Sequence, residues 1–82
     1  MLKAVKVPLD EIYVPTARRK TLDSGKVETL AESILEDGLN KPIQVRQGKG
    51  RYVLVTGLHR LEALRSLGEE TAEAYIVAAR QF

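Results

Sequence analysis

The strongest pattern in this chain lies between residues 24 and 38. Val27, Leu30, Ala31, Ile34 and Leu35 recur at i, i+3, i+4, i+7 and i+8, the spacing of one apolar helix face. Asp23 and Ser24 precede it as candidate N-caps, and Gly38 follows where a left-handed residue ends a helix, with Leu39 placed to supply the accompanying apolar contact. Elsewhere the period falls to two. Lys3-Ala4-Val5-Lys6-Val7 alternates as a short strand that Pro8 ends, and Leu9-Asp10-Glu11-Ile12 suits one helical turn with Leu9 and Ile12 inward. Pro15 and Thr16 begin an irregular segment. Pro42 forces Lys41 toward extended geometry, and Ile43-Gln44-Val45-Arg46 then alternates as a half-buried strand. Gly48-Lys49-Gly50 connects it to Tyr52-Val53-Leu54-Val55, so the two runs predict a β-hairpin. Leu58, Leu61, Ala63, Leu64 and Leu67 give a second helix a broad apolar side, and Gly68 closes it. Residues 72–77 read as a last strand and 78–82 as a frayed tail. The order is strand, loop, helix, hairpin, helix, strand. It predicts one small α+β domain over residues 1–82, with two main helices packed on a mixed sheet.

Composition narrows the chemistry more than the fold. With 44% hydrophobic and 29% charged residues, the 82-residue chain has the make-up of a folded soluble domain. It has no cysteine, which removes disulfides, thiolate metal sites and any cysteine nucleophile. A single histidine cannot build a His-rich metal site, and no apolar run approaches a membrane span. The N-terminus lacks the apolar core of a signal peptide, so the expected location is cytoplasmic. A net charge of +2 permits an anionic ligand without demanding nucleic acid as the partner. There is no Ser-His-Asp arrangement, Walker-type loop, zinc finger, helix-turn-helix or aromatic stacking platform.

The candidate chemistry gathers at Thr56-Gly57-Leu58-His59-Arg60-Leu61-Glu62-Ala63. A strand that breaks at a glycine and restarts as a helix leaves N–H groups at the helix start, and these favour negative charge. His59 and Arg60 fall in that first turn; an Arg fork suits phosphate oxygens, and a His can donate to another. On the long helix, Lys26, Thr29 and Ser33 share a narrow stripe about 110° around from the centre of the apolar face, as the rim of a groove would. Ordinary surface positions have the same spacing. The cluster Arg18-Arg19-Lys20 is open to two readings as well, a solvated loop or a set of cations that reach an anionic ligand. Asp10, Glu11 and Glu62 are the acids that could sit near the site, each more readily read as a solvated or capping carboxylate.

Three runs carry a family resemblance: Val7-Pro8-Leu9-Asp10-Glu11-Ile12, Gly38-Leu39-Asn40-Lys41-Pro42-Ile43-Gln44-Val45 and the strand–helix motif above. Together they resemble the ParB/sulfiredoxin superfamily over nearly the whole chain. In ParB partition proteins the Gly-Leu-x-x-Pro-Ile segment and the later glycine–arginine–alanine box bind CTP; in sulfiredoxins the comparable surface binds ATP. Residues 23–34 are similar to the sulfiredoxin helix Asp-x-x-Lys-Val-x-Ser-Leu-x-x-Thr-Ile, which implies nucleotide contacts for Lys26, Thr29 and Ser33. The sulfiredoxin Gly-Cys-His-Arg box matches Gly57-Leu58-His59-Arg60, implying phosphate contacts for His59 and Arg60. Leu58 stands where that box has its catalytic cysteine, so the resemblance does not extend to sulfinic acid repair, which needs the thiolate. Nor does it extend to the DNA-binding and dimerisation domains of ParB. Some members phosphorylate free serine through an acid near the first loop, and Glu11 is the candidate this chain offers.

The expectation is therefore a nucleotide-binding module for ATP/ADP or CTP, with or without Mg2+, and without sulfiredoxin activity. Its site would comprise Lys26, Thr29, Ser33, Gly57, Leu58, His59 and Arg60, with Arg18 and Arg19 as further candidate phosphate contacts and no metal site built by protein alone. Two alternatives stand beside it: an ATP- or ADP-dependent phosphotransferase or NTPase of the same fold, and a non-catalytic accessory module in DNA partition or regulation, acting through a protein partner and touching DNA weakly or indirectly.

Overall fold

The alternating runs assemble into one five-stranded mixed sheet, seen in a computed structural model that describes residues 3–38 and 41–78. Its strands are β1 (Val5–Pro8), β2 (Ile12–Tyr13), β3 (Ile43–Gln47), β4 (Tyr52–Thr56) and β5 (Thr71–Val77), in the spatial order β1-β5-β3-β4-β2. β3 and β4 form the expected antiparallel hairpin, with Val45 opposite Leu54 and Arg46 opposite Val53. β5 runs parallel to β3 and antiparallel to β1, so the last strand lies between the first strand and the hairpin.

Two helices cover one face of the sheet. α2 (Ser24–Asp37) and α3 (Leu58–Ser66) bury Ile34, Leu58, Leu61 and Leu64 against Val7, Ile43, Val45, Leu54, Ala72 and Ala74. Val27, Leu30 and Ala31 pack at the margin of this core. Fully burying a side chain such as Leu61 is worth about 1.5–3 kcal/mol, and with no disulfide among 82 residues this core carries the fold. Asp23 caps α2 by accepting from the N–H groups of Gly25 and Lys26, and Gly38 ends it at φ 63° with its N–H donating to Ile34 O. The proposed contact of Leu39 lies outside the described residues, as does the tail beyond Ala78.

The structure corrects three expectations. Ile12 and Tyr13 form a strand, parallel to β4, that two residues are too few to announce by alternation. The segment after Pro15 is not irregular but holds a single helical turn, α1 (Thr16–Arg19). Pro15 sits at φ −56° and its carbonyl accepts from the N–H groups of Arg18 and Arg19, a geometry set by the proline ring and not by an apolar repeat. Leu35, grouped with the buried face, is 72% exposed. It lies about 80° around the helix from Val27, and the core reaches only the Val27–Ile34 side. Leu9 and Ile12 are buried as expected, Leu9 opening a 3-10 turn at Leu9–Glu11 and Ile12 following it. Among the described residues no helix is long and apolar enough to cross a membrane.

Candidate nucleotide site

The site begins with an irregularity at the end of β4. Between Val45 and Gln44 on β3 the chain advances one residue, while β4 advances two, from Leu54 to Thr56. Such a bulge adds twist and re-aims the strand end. The next residue, Gly57, stands at φ 105°, ψ 30°, and a Cβ built there would lie 2.6 Å from Ile43 Cγ2. Only glycine meets both the left-handed conformation and the close approach to β3. From this turn α3 starts abruptly, and Leu58 and Leu61 fix its first turn by entering the core at 7% and 0% exposure. His59 and Arg60 are left half-buried on the other side of that turn.

The two helix starts are stitched together. The backbone N–H of Asp23, at the start of α2, donates to His59 Nε2 across 3.1 Å. As the acceptor of that bond Nε2 uses its lone pair, which leaves Nδ1–H as the ring donor of His59, beside the backbone N–H groups of the first turn. The first turn of α3 has no side-chain cap; its first intrahelical bond runs from Leu61 N–H to Gly57 O.

Lys26, Thr29 and Ser33 line one groove on α2 together with Leu30, Gly25 and Asp23, with a volume of about 620 Å³. Thr29 Oγ1 donates to the Gly25 carbonyl at 3.0 Å, so its oxygen faces any ligand as an acceptor. The groove and the His59 turn adjoin through Asp23, which lines the one and holds the other.

The remaining candidates fall elsewhere. Arg18 lines a cavity on the face of the sheet opposite α2 and α3, beside Gln44, Arg46 and Thr56. Arg19 lines a third cavity, about 320 Å³, with Leu58, Glu62 and Arg65. Neither reaches the Lys26 groove. Glu11 is exposed in the 3-10 turn and does not line that groove either. Among the described residues no three of His, Asp and Glu converge in a way that could hold a metal ion. Sequence reasoning missed the bond from Asp23 N–H to His59, which joins residues 36 apart and leaves no local pattern. It also passed over Arg46, although the alternation of β3 already set that side chain and Gln44 on the face away from Val45.

Over residues 2–81 the chain matches the ParB N-terminal domain family. It is 39% identical over 72 residues to the chloroplastic/mitochondrial sulfiredoxin of Arabidopsis thaliana, covering 88% of this chain and 58% of that protein. It is 35% identical over 80 residues to a probable chromosome-partitioning protein ParB of Helicobacter pylori, covering 96% of this chain and 28% of the relative. The chain thus spans little more than half of one curated relative and about a quarter of the other. Among solved structures, Arabidopsis thaliana sulfiredoxin superposes with a TM-score of 0.81 at 36% identity, covering 94% of this chain and 86% of that one. Caulobacter crescentus ParB complexed with CTP-γ-S also gives 0.81, at 26% identity and 96% and 46% coverage. A free serine kinase bound to ADP gives 0.76 at 27% identity, with 96% and 32% coverage.

Proposed function

We propose that this chain, which belongs to the ParB N-terminal domain family of the ParB/sulfiredoxin superfamily, binds a nucleoside di- or triphosphate across the paired starts of α2 and α3. The phosphates rest against the first turn of α3, where Gly57 brings the backbone close, Arg60 supplies a guanidinium and His59 a single Nδ1–H donor. The nucleoside follows the α2 groove, whose volume of about 620 Å³ lies in the range of small-molecule sites. At the start of α2 Lys26 meets the phosphate charge, and Thr29 Oγ1, its hydrogen already committed to Gly25 O, accepts from a ribose hydroxyl or a base amino group. The observation that supports this reading most directly is the hydrogen bond from Asp23 N–H to His59, because it makes two walls of what would otherwise be separate surfaces.

Fold neighbours solved with CTP-γ-S and with ADP support the ligand class. Sulfinic acid repair is not part of the proposal: the chain has no cysteine, and Leu58 is a core residue. Calorimetry with ATP, ADP and CTP, each with and without Mg2+, tests it, and a saturable heat with at least one is expected. Arg60→Gln should then weaken that binding by about 1.5–3 kcal/mol, the worth of a hydrogen bond to a charged group. Absence of heat and of any thermal shift with all three at millimolar concentration would sink the idea.

A further inference from the structure

The face of the sheet opposite α2 and α3 carries a cavity of about 850 Å³ that the nucleotide reading does not use. Its floor is apolar, made by Val53, Val55 and Val77. Its polar groups come from three places. Arg46 and Gln44 project from β3 on the side away from Val45, Thr56 is turned to the same side by the bulge opposite Gln44, and Arg18 overhangs from α1. Arg46 is half-buried and Arg18 exposed.

Neither arginine has a carboxylate partner among the described residues; Arg65, by contrast, pairs with Glu62 one turn away on α3. A third arginine at the same face, Arg51, is already engaged, its guanidinium stacked 3.9 Å from the centroid of the Tyr13 ring. Two uncompensated guanidinium groups over valines form a site with one missing component, a negative charge attached to an apolar body. The cavity shares no lining residue with the Lys26 groove.

We propose that this face binds a small amphipathic organic anion, its carboxylate or phosphate monoester held between Arg18 and Arg46 and its apolar body lying on Val53, Val55 and Val77. Gln44 and Thr56 orient the oxyanion with an amide and a hydroxyl donor. Because the two sites are disjoint, the ligand binds whether or not a nucleotide is present, and the proposal stands if the nucleotide reading fails.

The test is an amide and arginine side-chain NMR titration of the full chain with hexanoate, phenyl phosphate, inorganic phosphate and hexanol, each with and without ADP. Saturable shifts at Gln44, Arg46, Val53 and Val77 are expected with hexanoate, phenyl phosphate or both. Which of the two binds more tightly tells a carboxylate ligand from a phosphate monoester. Inorganic phosphate should bind more weakly and hexanol not at all, the first lacking the apolar body and the second the charge. Arg46→Gln should raise the dissociation constant about tenfold or more, and Arg18→Gln, at an exposed position, serves where the first variant does not fold. Shifts confined to Lys26, His59 and Arg60, a response to hexanol equal to that of hexanoate, or no saturation with either organic anion would each overturn the proposal.

Discussion

The two long helices of this domain begin in opposite ways. α2 is capped by its own sequence: the Asp23 carboxylate accepts from the N–H groups of Gly25 and Lys26. α3 begins on a left-handed glycine with no side-chain cap, hard against Ile43. A carboxylate cap neutralises the positive end of a helix, whereas an uncapped start leaves that field for a ligand. The contrast separates a helix start that carries its own carboxylate cap from one that carries none. His59 ties them, so the capped helix helps to hold the uncapped one.

The comparison breaks most severely at Gly57. Gly57→Ala must hold an L-residue at φ 105° and place a methyl 2.6 Å from Ile43 Cγ2. Left-handed strain and overpacking together should cost about 2–5 kcal/mol, and each kcal/mol lowers the melting temperature of a domain this size by about 4–8 °C. Urea or thermal unfolding checks it. A variant that melts like the parent would mean that the strand–helix turn is not held as tightly as the contact with Ile43 requires.

A smaller effect sharpens the other half of the contrast. Asp23→Ala removes the cap of α2 and should destabilise by about 1 kcal/mol, while Asp23→Asn should recover most of the loss. Both changes keep the backbone N–H that reaches His59, so nucleotide binding should fall much less than it does for Arg60→Gln. A loss of affinity as large as that seen with Arg60→Gln would assign the Asp23 carboxylate a direct part in the site.

The stitch itself is weaker still. His59→Ala deprives the Asp23 N–H of its acceptor at an exposed position where water can replace it, for a stability change of about 0.5 kcal/mol. Hydrogen exchange separates this from a general loosening. The Asp23 amide should exchange faster, while those of Gly25 and Lys26, held by the Asp23 carboxylate, keep their protection. Equal acceleration at all three would show that His59 holds the helix as a whole.

How much of this could be read from the chain follows the range of the interactions. The body of α2, its αL end at Gly38 and the hairpin were legible because each is fixed by residues within a few positions. The helical turn at Thr16–Arg19 and the two-residue strand at Ile12–Tyr13 were not, being too short to show a period. The stripe of Lys26, Thr29 and Ser33 was visible by spacing alone, and the structure gathers these three on one groove. What faces that groove was not visible, since His59 meets Asp23 only through the packing of α3 on α2. Arg18 and Arg19 were grouped as neighbours in sequence, yet one helical turn sends them to different cavities. Leu35 was misplaced because a helical wheel gives the apolar arc but not how far the core extends around it.

The smallest expected effect is the most direct counterpart to the largest. Gly25 also stands in the first turn of a helix, but on α2, without a positive φ, and a Cβ there would meet only Asp23 Oδ1, at 3.3 Å. That contact is tight by a few tenths of an ångström, and the atom met is the end of a side chain that can rotate. Against it stands the conformational freedom that glycine must lose to enter a helix, worth about 0.5–1 kcal/mol relative to alanine. The two terms oppose one another, so Gly25→Ala should leave stability within about 0.5 kcal/mol of the parent. The same substitution at two helix starts thus separates by several kcal/mol. If Gly25→Ala instead destabilised the domain as much as Gly57→Ala is expected to, the capping geometry of Asp23 would be as rigid as the strand–helix turn, and the contrast between the two helix starts would disappear.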